Sequence, residues 1–162
     1  MKIATSILTV LTLGFYAFQP ALAGEKDHDD HDHGKIVAGP NGGRVITEVE
    51  PHLEFLVNKD RTVKITALDD HNKPAKIGDQ SVSIIAGERS KPTKLAFTVK
   101  DGVLVSDVAL PAGNDFPVVL QIKPGKKGKI VTAKFNVNLN DCPTCKNKEY
   151  ACTCEHGDDE KK

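Results

Sequence analysis

The residues best suited to chemistry lie between Asp141 and His156, in the run D-C-P-T-C-K-N-K-E-Y-A-C-T-C-E-H. All four cysteines of the chain are here, Cys142, Cys145, Cys152 and Cys154, spaced C-x2-C-x6-C-x-C. Thiolates are soft ligands, which suit Zn, Cu(I) or Cd better than Mg or Ca. The C-P-T-C turn presents two sulfurs, C-T-C offers two more, and the six residues between suffice to fold the pairs together. His156, two residues past Cys154, is a substitute ligand. Two other chemistries use the same residues. In an oxidising compartment an even number of cysteines pairs into disulfides, with Cys142 or Cys145 joined to Cys152 or Cys154; pairing within C-T-C is strained. A redox-active C-P-T-C dithiol would place its first cysteine at a helix N-terminus to lower its pKa. No such helix is predicted here, and this ranks last.

A second set of donors lies at the other end of the chain. Gly24 to Gly34 reads G-E-K-D-H-D-D-H-D-H-G and has no apolar residue, so it is expected to be a disordered arm. His28, His31 and His33 alternate with Asp27, Asp29, Asp30 and Asp32. Imidazoles and carboxylates in this density are ligands for Zn, Cu, Ni or Co. Ordering such an arm costs conformational entropy, so its binding is expected to be weak. The plainer alternative is a solvated polar tail.

The segment before that arm sets the compartment. Lys2, the apolar run Ile7 to Phe18 and the Ala21-Leu22-Ala23 box read as a secretory signal peptide over residues 1–23. The run is short for an uncleaved anchor. The expected location is therefore the periplasm or outside the cell, with no membrane insertion after cleavage. Lysine and arginine together number 22, and so do aspartate and glutamate. That balance lacks the basic face nucleic-acid binding requires. No G-x-S-x-G, H-E-x-x-H or phosphate-binding glycine loop occurs, so no enzyme is expected.

The elements that must position these donors read as strands. There is no Trp and few aromatics, so the core rests on Val, Ile and Leu, which favour strands. Period-two alternation recurs through 39–140. Strands are expected at Arg44–Val49, His52–Val57, Arg61–Leu68, Gln80–Ala86, Lys94–Lys100, Val103–Val108, Phe116–Lys123 and Ile130–Leu139. Asp101-Gly102 signals a tight hairpin. The expected fold is an all-β, antiparallel β-sandwich of immunoglobulin-like size, flanked by a disordered arm at 24–38 and a disordered Cys-rich tail at 141–162. A small closed barrel is the alternative. On the second strand, Leu53, Phe55 and Val57 should face inward and His52, Glu54 and Leu56 outward. His52 and Glu54 then form an exposed polar pair, or less simply share an ion. His71 reads as a solvated loop residue.

Gly39-Pro40-Asn41-Gly42-Gly43-Arg44-Val45 followed by His52-Leu53-Glu54-Phe55 resembles the small β-domain near the N-terminus of periplasmic adaptor subunits of heavy-metal efflux pumps. It is also similar to small exported bacterial proteins with the same glycine-rich entry after a His-rich leader. The resemblance covers mainly residues 39–68. The chain lacks the long helical hairpin and lipoyl-like domain of a full adaptor. The resemblance implies a stand-alone domain of that kind, handling transition-metal ions and accessory to efflux-pump components. The alternative function is a structural or protein-interaction module whose tail is stapled by disulfides.

Overall fold

A computed structural model describes residues 35–154. Ten strands run in the order β1 (Arg44–Ile46), β2 (Leu53–Val57), β3 (Val63–Leu68), β4 (Pro74–Ala75), β5 (Ser81–Ala86), β6 (Thr93–Leu95), β7 (Phe97–Lys100), β8 (Val103–Ser106), β9 (Asp115–Lys123) and β10 (Val131–Asn138). A 3₁₀ turn, Glu149–Ala151, follows them. The strands form two sheets. One has the order β1-β2-β3-β8-β7, with β4 also paired to β3; the other has the order β10-β9-β5-β6. Every strand pairing is antiparallel. This is the expected sandwich and not a closed barrel.

The alternation that predicted the strands also fills the space between the sheets. Leu53, Phe55, Val63, Ile65 and Ala67 come from one sheet, and Ile84, Ala86, Val118, Leu120 and Ile122 from the other. In β9 the pattern is nearly ideal, with Phe116, Val118, Leu120 and Ile122 buried between exposed or half-exposed neighbours. Asp101 and Gly102 both hold positive φ, +51° and +84°, as a tight hairpin between β7 and β8 requires.

Four expectations need correction. The run Lys94–Lys100 is not one strand. Its first part, β6, pairs with β5 in one sheet, and its second, β7, pairs with β8 in the other. The chain changes sheets at Ala96, where Asp107 clamps the backbone from both sides. Its carboxylate accepts from Ala96 N at 2.9 Å, and its own N–H donates to Ala96 O at 2.9 Å. Period two cannot reveal such a switch, because alternation continues through it. Second, Pro74 and Ala75, which fall between the strands expected at Arg61–Leu68 and Gln80–Ala86, pair with β3. Third, the first strand ends at Ile46, short of Val49.

The fourth correction concerns Glu54. Expected outward, it is fully buried. The G-P-N-G-G turn supplies the reason. Glu54 Oε1 accepts from Asn41 N at 2.8 Å and Gly43 N at 2.9 Å, and Oε2 accepts from Asn41 Nδ2 at 2.6 Å. Charge-assisted bonds of this kind offset the cost of taking a carboxylate out of water. A Cβ at Gly39 would overlap the Glu54 side chain, and one at Gly43 would overlap Phe55 O. These two glycines are small because the turn closes directly onto β2. His52 instead lies 3.0 Å from Glu50, so the expected His52–Glu54 pair does not form.

Candidate metal centre

The segment after β10 is not a free tail. Asp141 to Cys154 folds against the body, and the reason is a pair of apolar residues inside an otherwise polar run. Tyr150 and Ala151 are 3% and 0% exposed and belong to the core. The Tyr150 ring meets Phe55 edge-on at 5.7 Å, and Phe55 meets Phe135 in the same way at 5.2 Å. Burial pushes the Tyr150 phenol above its ordinary range, so its oxygen stays neutral and accepts the N–H of Val57 at 3.1 Å, at the end of β2. An aromatic ring with one satisfied polar tip is well suited to anchor a loop to a sheet.

Backbone bonds then fold the loop back on itself. Cys142 N donates to Asn147 O at 3.1 Å and Glu149 N donates to Asn140 O at 3.0 Å. Asp141 and Lys148 form an antiparallel bridge, reinforced by their side chains at 2.6 Å. The 3₁₀ turn carries Cys152 back towards Cys142 through Cys152 N to Glu149 O, 3.1 Å. Asn147 closes the turn from its side chain as well, donating to Ala151 O at 3.4 Å.

The outcome is a cluster of sulfur. All four Sγ atoms lie within 4.8 Å of one another. Cys152 Sγ is 3.3 Å from Cys142 Sγ and 3.7 Å from Cys145 Sγ. A tetrahedral Zn site with Zn–S bonds of ~2.3 Å has sulfurs ~3.8 Å apart, so small shifts convert this cluster into such a site. A disulfide needs ~2.05 Å, and none of the four cysteines is joined in one in this structure.

Backbone N–H groups point at the sulfurs. Thr144 N donates to Cys142 Sγ at 3.4 Å and Cys154 N donates to Cys152 Sγ at 3.3 Å, each from two residues downstream. Such bonds favour the thiolate over the thiol. Thr144 Oγ1 lies 3.2 Å from Cys142 Sγ. That hydroxyl, with the Thr144 N–H and the neighbouring Cys152, brings the Cys142 thiol down to about 5. Burial pushes Cys152 the other way, up to about 12. At Cys145 the N–H of Asn147 pulls downward, but burial, with Cys142 and Cys154, outweighs it and the thiol is raised. The cluster thus sets one thiol held well below its ordinary range, Cys142, against two that are raised, Cys145 and Cys152.

Of the residues picked out in the sequence, Cys142, Cys145, Cys152 and Cys154 come together. They form the one group of three or more His, Cys, Asp or Glu side chains, among the described residues, close enough to share an ion. His28, His31, His33 and His156 lie outside the described residues. His71 sits in an exposed turn, where its N–H donates to Asp69 Oδ1 at 2.9 Å. Sequence reading missed Thr144, Asn147 and Tyr150. The signal for Tyr150 was present, since Tyr150-Ala151 is the only apolar pair between the two cysteine pairs. Thr144 and Asn147 act through hydrogen bonds and leave no such mark.

No protein-family model, curated protein or solved structure matches this chain.

Proposed function

We propose that this chain is an exported β-sandwich protein that binds a soft transition-metal ion, Zn(II) or Cu(I), through Cys142, Cys145, Cys152 and Cys154. Its work is sequestering or delivering that ion in the periplasm or outside the cell, as an accessory to heavy-metal efflux. The carrying observation is that four thiol sulfurs lie within 4.8 Å of one another on a loop docked into the core. Ionised sulfurs this close repel strongly in a partly buried place, and a bound cation removes that repulsion. Four thiolates complete the coordination of one tetrahedral ion, leaving no open position for a catalytic water. The signal-like leader and the resemblance of residues 39–68 to adaptor β-domains support the export and efflux parts. The arm with His28, His31 and His33 supplies a second, weaker set of donors, and His156 lies beside the cluster in sequence.

The test is metal analysis of the full chain, purified without a metal-affinity step, with thiols counted before and after reduction. The expected result is one Zn or Cu per chain and four reactive thiols once the ion is removed. Replacement of the native ion by Co(II) should give thiolate-to-metal charge-transfer absorption, which Cys152→Ser removes. A chain that holds no ion and shows no thiols until reduced overturns the proposal. That result would establish the second reading, a disulfide-stapled interaction module, which the 3.3 Å approach of Cys142 and Cys152 favours.

A further inference from the structure

The four sulfurs differ in what surrounds them, and the difference describes a path for the ion. This rests on the metal-binding reading above. Cys142 and Cys152 are 5% and 4% exposed, whereas Cys145 and Cys154 are half-buried. The inner pair is also the more firmly built. Cys142 is tied through its own N–H to Asn147 O, and Cys152 through its own N–H to Glu149 O, on the turn whose Tyr150 and Ala151 sit in the core. Cys152 Sγ approaches both Cys142 Sγ, at 3.3 Å, and Cys145 Sγ, at 3.7 Å. Cys145 is held within the C-P-T-C turn and receives the N–H of Asn147. Cys154 stands two residues beyond Cys152, past the end of the 3₁₀ turn, and its N–H is spent on the Cys152 sulfur.

We infer that the ion enters and leaves across the Cys145–Cys154 edge by ligand exchange, with Cys154 released first and the buried pair Cys142–Cys152 released last. The exchange partner is a soft donor on another molecule, a thiol or an imidazole. For a thiol partner the step balances without redox chemistry. The bond from the ion to Cys154 Sγ breaks as the bond from the ion to the incoming sulfur forms. The proton lost by the incoming thiol passes to the Cys154 thiolate. The ion keeps its charge and four ligands throughout, so no bare ion appears in water. A closed tetrathiolate site buried on all sides would release its ion only by opening the fold; here one edge faces solvent.

The experiment loads the full chain with Zn(II) and mixes it with excess 4-(2-pyridylazo)resorcinol, following the coloured complex by stopped flow. The expected result is a transfer rate that rises in proportion to chelator concentration. Cys154→Ser should retain Zn(II) and pass it on roughly tenfold faster or more, while Cys152→Ser fails to retain it. Circular dichroism of both variants reports whether the sandwich persists. A loaded wild-type chain whose release rate ignores chelator concentration overturns the inference while leaving the metal centre intact. Equal retention and equal rates in Cys154→Ser and Cys152→Ser overturn it as well. A wild-type chain that takes up no Zn(II) overturns both.

Discussion

Two turns in this molecule gather donors around anionic groups, and they do it in opposite ways. At β2, the turn Gly39 to Gly43 surrounds the Glu54 carboxylate with three N–H donors from the chain itself. The buried charge is answered by fixed dipoles and needs nothing from outside. At the C-terminal end, the loop from Asp141 to Cys154 sets sulfur against sulfur, with the backbone N–H groups of Thr144, Asn147 and Cys154 pointing inward. When several of these sulfurs ionise, the repulsion among them calls for a cation. A polar cluster satisfied by its own chain serves the fold, whereas a cluster of like groups brought to ligand distance could hold an ion. The two turns are neighbours. A Cβ at Gly42 would lie 3.8 Å from Asn147 Oδ1, so the turn that shields Glu54 also borders the cysteine loop.

The contrast can be broken by experiment. The largest effect is expected from metal. With free Zn(II) at a thousand times the dissociation constant, the ion should add about 4 kcal/mol to unfolding, and a chelator should remove it. Urea denaturation with and without chelator measures this, and Cys152→Ser should erase the difference while leaving the metal-free stability nearly unchanged. Next comes Glu54→Ala, which takes the acceptor from three donors, one of them the buried Gly43 N–H. It should cost about 3 kcal/mol in the same denaturation, with or without metal. If Glu54→Ala loses stability only when metal is present, the two turns are one unit and the contrast fails. The third effect is on pH. Cys145 and Cys152 have raised thiol pKa values and hold protons near neutrality until an ion expels them. Affinity should therefore fall as pH falls, by at least about a hundredfold per unit through the protons of Cys145 and Cys152, and should level off at high pH. Cys142, lowered to about 5, adds a further proton only in more acid solution. Calorimetry in buffers of different ionisation enthalpy counts these protons. The smallest effect is Tyr150→Phe. It keeps the ring on Phe55 but leaves Val57 N without its acceptor, at about 1 kcal/mol. Its metal affinity should change less than its stability.

Much of this was legible from residue order. Strict alternation in β9 and β10, and the Asp101-Gly102 hairpin, follow from local chemistry and came out as expected. The cysteine spacing likewise marked the site before any coordinates. What escaped depended on contacts distant in sequence. Glu54 alternates like an outward residue, and only the arrival of Asn41 and Gly43 makes an inward position tolerable. The switch at Ala96 depends on Asp107, eleven residues away. Treating Asp141 onward as a tail ignored one tyrosine, because a single aromatic in a polar run has no period to detect.

That tyrosine has a consequence for the order in which the protein assembles. The four cysteines span thirteen residues, so the loops that bring them together close at small entropic cost. The bond from Val57 N to Tyr150 spans 93 residues, and contacts of that length form late. An ion can therefore be captured by the loop while the sheets are still pairing. The captured ion then shapes a turn that is ready to dock. Synthesis also leaves the Val57 N–H waiting for Tyr150, 93 residues later. On the proposed metal-binding reading, metal supply during synthesis bears on folding yield as well as on the finished protein.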